Sequence, residues 1–202
     1  MKICYIVGAG DFSYPFIPKD DQLVIAADGG YDTLKANKIR CDLVVGDLDS
    51  INDVPSDCQL IKYKAEKDET DICLAILEGE RRGFTEFRIY GATGGRQDHT
   101  FANYSLLLYA KRRGLNAKIV SENMLISVIE NEECTIFGKT GMQFSVFPIG
   151  NDANNVSISG AKYPLADATL KCDFPLGVSN SFLDSEVTIK VLDGALLLMQ
   201  QF

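Results

Sequence analysis

The sequence predicts an α/β protein: an N-terminal, mainly parallel sheet flanked by helices, plus a smaller C-terminal all-β sandwich or barrel. Two observations predict this. Up to about residue 122, short runs rich in β-branched and aromatic residues alternate with segments whose apolar residues recur at helical spacing, and such alternation builds parallel sheets. From Asn123 onward the helical pattern stops, and strand-like runs follow one another between Gly, Pro, Asn and Asp signals. The 202 residues, 46% hydrophobic and 24% charged, supply a full core and enough length for a medium and a small domain. The division falls at 1–122 and 123–202, with no Pro- or Ser-rich linker to mark it.

The elements follow in order. Ile3–Val7, Leu23–Ala27, Leu43–Val45, Gln59–Tyr63, Phe87–Tyr90 and Ala117–Val120 read as strands. Tyr31–Asn37 suits a helix. Asp71–Arg82 places Ile72, Ala75, Ile76 and Gly79 on one helical face, and Gly83 stops it. Thr100–Arg113 carries a stripe of Phe101, Tyr104, Leu107 and Leu108 before Gly114. In the second part, Cys134–Phe137, Met142–Phe147, Asn155–Ser159, Ala168–Cys172 and Glu186–Val191 read as strands. Asp193-Gly194, between Ile189–Val191 and Leu196–Leu198, predicts a hairpin.

Charge and composition exclude some functions. The net charge is −8 and no Lys/Arg block exceeds Arg112-Arg113, which argues against a nucleic-acid surface. No apolar run approaches the ~20 residues of a membrane-spanning helix. The N-terminus reads as a strand rather than a signal peptide. A soluble cytoplasmic protein is expected, with no nucleic-acid or membrane partner. The six cysteines are scattered without a C-x-x-C pair and are expected to be structural. His99, the only histidine, cannot build a multi-histidine metal site.

Four acidic clusters carry the chemistry: Ala27-Asp28-Gly29-Gly30, Gly46-Asp47-Leu48-Asp49-Ser50, Lys67-Asp68-Glu69-Thr70-Asp71 and Gly94-Gly95-Arg96-Gln97-Asp98-His99. Two of them close apolar strand runs and the fourth follows Phe87–Tyr90. In an open parallel sheet the ligand crevice lies at the carboxyl ends of the strands. Carboxylates gathered there repel one another unless a cation joins them, and hard oxygen ligands suit Mg²⁺ with a substrate phosphate completing its shell. Asp47 and Asp49 alternate as two residues on one face of a strand would, a spacing open either to a divalent ion or to a solvated turn. Asp28 can meet a ligand or cap the helix after it, and Asp68 can cap the next helix. Gly8-Ala9-Gly10 is a tight strand exit or a phosphate turn, lacking the third glycine of a dinucleotide fingerprint. Gly91–Arg96 offers backbone donors and a guanidinium matched to phosphate oxygens.

In combination these segments resemble the thiamine pyrophosphokinase family. The similar motifs are Ala26–Gly30, Val45–Ser50, Lys67–Asp71, Gly91–His99 and, in the β-rich part, Gly160–Leu165 and Leu176–Asn180. They span nearly the whole chain in family order. The resemblance implies pyrophosphate transfer from ATP to thiamine, yielding thiamine diphosphate and AMP, in a homodimer with active sites between subunits. It implies Mg²⁺ on Asp47, Asp49 and Asp71, and an ATP region of Asp28, Gly29, Gly30, Asp68, Thr70, Thr93, Arg96 and Asp98. Asp71, Asp98 and Arg96 take the catalytic roles, and Ser179 and Asn180 reach thiamine. Some family members carry a tryptophan in the Ser-Asn segment and this chain has none. Tyr163 and Phe182 are the candidates to pack the thiamine rings instead. Two rival readings are a D-x-D nucleotide-sugar transferase and a nucleotide- or thiamine-sensing module without turnover. The second would lose a metal carboxylate, and all three are present.

Overall fold

In the computed structural model, which describes residues 2–48 and 58–202, the chain divides into two units: residues 1–106 with 112–122, and residues 107–111 with 123–202. The first unit holds strands β1 (Ile3–Val7), β2 (Leu23–Ala27), β3 (Leu43–Gly46), β4 (Gln59–Lys62), β5 (Glu86–Tyr90) and β6 (Asn116–Val120). Helix α1 (Gly30–Ala36) follows β2, α2 (Asp71–Arg81) follows β4, and α3 (Gln97–Arg112) follows β5. All six strands run parallel in the order β6-β5-β1-β2-β3-β4. β2 and β3 are buried along their whole lengths, as expected of strands covered on both faces.

The strand order reverses at β1. The chain builds outward from β1 through β2, β3 and β4, then returns so that β5 pairs with the opposite edge of β1. The loops after β1 and β5 therefore leave the sheet from neighbouring strands, which opens a crevice at their carboxyl ends. Glycine shapes this place. A Cβ on Gly91, at φ 61°, would collide with the Gly8 carbonyl oxygen, so the exits of β1 and β5 touch only because no side chain intervenes. A Cβ on Gly30 would collide with the Val7 carbonyl, so this glycine lets α1 start against β1.

In the second unit, β7 (Met124–Glu130), β9 (Gln143–Pro148), β12 (Asn180–Ser181) and β14 (Ala195–Gln201) pair antiparallel in the order β12-β9-β14-β7. β8 (Glu133–Phe137), β10 (Ala153–Ser159), β11 (Leu165–Leu170) and β13 (Glu186–Lys190) form a four-stranded sheet in the order β11-β10-β13-β8. Phe144, Val146, Leu196 and Leu198 from one set share a core with Val156, Ile158, Val187 and Ile189 from the other, the arrangement of a sandwich.

Several local expectations change. Asp193-Gly194 closes no hairpin: Ile189 pairs in the four-stranded sheet, whereas Leu196–Leu198 pair with β7 and β9. The turn carries the chain from one sheet to the other, held by Gly194 N–H donating to Asn131 Oδ1 at 2.9 Å. Strand β7 was absent from the sequence reading, although Met124–Glu130 is apolar. Helix α3 begins at Gln97, three residues earlier than its pattern suggests. Phe101, placed in its apolar stripe, is 74% exposed, while the polar Asn103 is 6% exposed. Tertiary packing rather than hydropathy chose that face. Among the described residues no helix is long and apolar enough to cross a membrane. The six cysteines form no disulfide, and burial pushes the Cys4 and Cys41 thiols up, the latter to about 12.

Candidate active site

Four strand-end segments and the start of α2 converge on one cavity of about 750 Å³ at the carboxyl ends of the parallel strands. Gly8–Gly10 follows β1, Asp28 follows β2, Asp47 follows β3, and Gly91, Ala92 and Gly94–Arg96 follow β5. The run Lys67–Ile72, at the start of α2, closes the remaining wall.

Asp28 is the most constrained of these residues. It is 9% exposed, its φ is 47°, and its N–H donates to the Val45 carbonyl at 2.9 Å. This left-handed conformation suits Asp better than most residues. Its Oδ1 is buried and has no hydrogen-bond partner among the described residues. Asp28 does not cap α1: Gly29 is the N-cap and no side chain caps that helix. The capping alternative therefore fails, and a buried polar atom without a partner among the described residues, on a residue that lines a cavity, points to a ligand. Gly29 and Gly30 do not line the cavity; Gly30 serves the packing of α1 on β1.

Thr70, not Asp68, is the N-cap of α2, its hydroxyl accepting from the Cys73 N–H at 3.3 Å. That cap fixes the helix start, which leaves Asp68, Glu69 and Asp71 on the cavity wall. Lys67 Nζ sits 2.6 Å from Asp71 Oδ1, and the Lys67 side chain is 13% exposed. Lys67 thus neutralises a carboxylate assigned to metal in the sequence reading.

Arg96 and Asp98 form an exposed two-pronged ion pair at 2.6 and 3.2 Å. Hydrogen bonding from Arg96, assisted by the His99 N–H, holds the Asp98 carboxyl down at about 2. An acid so strong is a poor proton acceptor while the pair stands. Arg96 and His99 line the cavity; Asp98 and Thr93 do not.

Asp47 lines this cavity and also a neighbouring hollow of about 520 Å³ that is flanked by Lys62 and Lys64. Asp49 and Ser50 lie outside the described residues. Among the described residues no three His, Cys, Asp or Glu side chains converge on one point. The donor set still fits a hard cation: Asp28, Asp47 and Asp71 supply only oxygen ligands around one cavity, and Asp28 Oδ1 lacks a partner among the described residues.

In the second unit Ser179 and Asn180 fall beside β9. Ser179 adopts φ 60° and its N–H donates to the Ser145 hydroxyl at 3.0 Å. Asn180 is buried and its carboxamide works on the backbone. Its Oδ1 accepts from the N–H groups of Tyr163 at 3.0 Å and Ser181 at 2.9 Å, and its Nδ2 donates to the Tyr163 carbonyl at 2.8 Å. Asn180 therefore shapes the loop at Tyr163 and retains one N–H for anything else. Phe182, a candidate for ring packing, is 1% exposed and packs edge-on against Phe144 at 5.5 Å. It belongs to the core and cannot face a ligand. Tyr163 is 58% exposed, with Lys162 Nζ 5.4 Å from its ring centre.

One group carries no signal in the sequence. Asn103, inside α3, reaches the cavity and donates from Nδ2 to the Ala92 carbonyl at 2.8 Å. Nothing in an interior helical position signals this. Gly8–Gly10, open to two readings before, lines the cavity directly, and its N–H groups are zipped to the exit of β5.

Residues 16–119 match the family described as thiamin pyrophosphokinase, catalytic domain, and residues 126–196 match thiamin pyrophosphokinase, vitamin B1 binding domain. The chain is 28% identical over 139 residues to the thiamine pyrophosphokinase of Bacillus subtilis (strain 168), a match spanning 68% of this chain and 65% of that relative. The crystal structure of thiamine pyrophosphokinase from Bacillus subtilis superposes with a TM-score of 0.86 at 27% identity, covering 99% of each chain. That of thiamin pyrophosphokinase from Geobacillus thermodenitrificans gives 0.81 at 27% identity, covering 99% of this chain and 97% of the other.

Proposed function

Because the chain belongs to the thiamin pyrophosphokinase family, we propose that it transfers the terminal pyrophosphate of ATP to the hydroxyl of thiamine, releasing AMP and thiamine diphosphate. The observation that carries this reading is the convergence of the four acidic or glycine-rich segments on one cavity at the strand-order reversal. A site for ATP needs donors for phosphate, and oxygen ligands for the cation that travels with it. Gly94, Gly95 and Arg96 offer the first, and Asp28, Asp47 and Asp71 the second.

Asp47 and Asp71 would hold Mg²⁺, together with Asp49, which lies outside the described residues. Mg²⁺, when bound, offsets the charge of the phosphate oxygens during transfer. The chain's own residues do the positioning. Were Asp71 to ligate the cation, the Lys67 ammonium now paired with it would be free to neutralise phosphate charge. Arg96, exposed at the rim, can give up Asp98 for a phosphate with the same fork of donors. Asp98 freed from Arg96 becomes a better proton acceptor than it is in the pair, so arrival of ATP couples charge neutralisation to base strength. Thiamine contacts fall to the second unit, with Ser179, the remaining Asn180 N–H and the exposed ring of Tyr163 as the groups on offer.

The active assembly on this reading is a homodimer with active sites between subunits. Exposed Phe174, Leu176, Val178 and Leu183 give the second unit apolar surface suited to such pairing. The six unbridged cysteines fit a reducing, cytoplasmic setting.

The test is incubation with ATP, Mg²⁺ and thiamine, followed by chromatography. AMP and thiamine diphosphate in equal amounts are expected. ADP with thiamine monophosphate would overturn pyrophosphoryl transfer.

A further inference from the structure

We propose that Asn103 contacts substrate directly, its Oδ1 accepting a hydrogen bond from an alcohol hydroxyl of a bound substrate. The inference rests on the pyrophosphokinase reading above and adds a specificity-determining residue to it.

Asn103 belongs to a polar row on α3. The Arg96 carbonyl accepts from the Thr100 N–H at 3.1 Å, so Arg96 joins the first turn of the helix. Arg96, His99 and Asn103 then recur at helical spacing on one face, and all three line the cavity. The row leads from the rim inward. The Arg96 side chain is 71% exposed, whereas Asn103 is 6% exposed. The helix rises about 10 Å between them.

One bond fixes the orientation of the Asn103 carboxamide. Nδ2 donates to the Ala92 carbonyl at 2.8 Å, and only the nitrogen of an amide can donate. Oδ1 is the atom left over, without a hydrogen-bond partner among the described residues. It is not sealed in. Among the described residues, Asp28 Oδ1 is the one fully enclosed side-chain oxygen or nitrogen that lacks a partner. An unpaired oxygen that is not enclosed, on a buried residue that lines the cavity, opens on that cavity.

The chemistry of its partner follows. An amide oxygen accepts and never donates, so it repels phosphate oxygens and calls for a donor. The other oxygen-bearing side chains of the wall are the carboxylates Asp28, Asp47, Asp68, Glu69 and Asp71, and the Thr70 hydroxyl, whose oxygen caps α2. Asn103 Oδ1 is thus the uncommitted neutral oxygen among them. A neutral acceptor orients a hydroxyl without adding to the negative charge that phosphates must approach. Two alcohols enter on this reading: the ribose of the nucleotide, and the alcohol that takes the pyrophosphate.

Substrates lacking one hydroxyl isolate the contact. Any damage that an Asn103 variant does to the loop at Ala92 weakens a substrate and its deoxy analogue alike, so only a direct contact changes their ratio. Calorimetric titrations of wild type and Asn103→Leu compare ATP with 2′-deoxy-ATP and 3′-deoxy-ATP, and thiamine with the analogue whose hydroxyl is replaced by hydrogen. In one pair, wild type should prefer the hydroxyl-bearing ligand by about fivefold or more, the scale of one net hydrogen bond, and Asn103→Leu should bind both about equally. Loss of preference in an ATP pair assigns the ribose; loss in the thiamine pair assigns the reacting alcohol. Undiminished preference in every pair overturns the proposal, as does a wild type that prefers the hydroxyl in none. Weakened Mn²⁺ binding by Asn103→Leu with every preference intact makes Asn103 a metal ligand and overturns it too. Where Asn103→Leu does not fold, Asn103→Ala is titrated and judged by the same limits. Wild-type protein that binds neither ATP nor thiamine sinks the pyrophosphokinase reading itself, so the two failures are distinct.

Discussion

Replacing Asp28 by Asn should make the metal-free protein more stable and the enzyme nearly inactive. Asp28 Oδ1 is buried without a partner among the described residues, and such a group costs about 1–3 kcal/mol. A neutral amide is cheaper to bury than a carboxylate, and Asn tolerates the φ of 47° as well as Asp does. The substitution therefore relieves strain of desolvation without adding strain of backbone, and about 1–2 kcal/mol should be gained. For a chain of 202 residues that corresponds to a rise in Tm of roughly 2–8 °C. The melt is recorded at pH 7 with chelator and no nucleotide, by calorimetry or circular dichroism. Turnover with ATP, Mg²⁺ and thiamine should fall by roughly a hundredfold, the scale for loss of one preorganised polar group. Asp28→Ala separates the terms, since it also removes the carboxylate but meets a left-handed penalty of about 1–2 kcal/mol. A lowered Tm for Asp28→Asn, or turnover within a few-fold of wild type, would refute the reasoning.

Three further outcomes are expected. Asp47→Asn and Asp71→Asn should each weaken Mn²⁺ binding, read by electron paramagnetic resonance, by about tenfold or more, with a turnover loss of roughly a hundredfold; unchanged Mn²⁺ affinity removes that residue from the ligand set. Gly30→Ala should cost more than about 3 kcal/mol in urea unfolding, above the usual range for overpacking, because the new Cβ meets the backbone carbonyl of Val7 rather than a movable side chain; a cost below 1 kcal/mol would show that α1 shifts freely. Glu78 is held at about 2 by hydrogen bonds from Arg81 and then Arg82, below its ordinary 4.5. A depressed carboxyl contributes stability that is full above its unfolded value and lost as pH falls through its folded value. Urea midpoints should therefore drop between about pH 5 and pH 2, and Glu78→Gln should flatten that fall; an identical acid limb in the variant would remove Glu78 from the account.

The sequence was most legible where one physical rule dominated. The parallel strands announced themselves by short β-branched runs, and α2 by Ile72, Ala75, Ile76 and Gly79 on one face, all buried in the structure. Acidic clusters at strand ends marked the cavity because topology puts those ends together whatever the intervening sequence. Local patterns failed where tertiary context decided. Asp193-Gly194 has hairpin chemistry, but the strands around it satisfy their backbone groups with β8, β10, β7 and β9 instead. Phe101 fits a helical stripe, yet α3 buries Asn103 with Leu107, Leu108 and Ala110 and leaves Phe101 exposed. Phe182 looked available for a ligand by residue type alone, and only its contact with Phe144 assigns it to the core. Asn180 could be read as a binding residue from its motif, whereas its bonds to Tyr163 depend on a partner 17 residues away.

The position of β14 has a consequence for how the molecule is made. Residues Ala195–Gln201 form an interior strand, flanked by β9 on one side and β7 on the other. During vectorial synthesis, β7 and β9 must wait roughly fifty to seventy residues for the strand that joins them, ~5 s at typical elongation rates. In the first unit one edge of β1 likewise stays open from Val7 until β5 arrives at Glu86, but its other edge is paired early by β2. Throughout the interval, β7 and β9 each hold an unpaired edge with apolar side chains, the kind of surface that pairs with a wrong neighbour. Emergence of a single seven-residue segment ends that exposure.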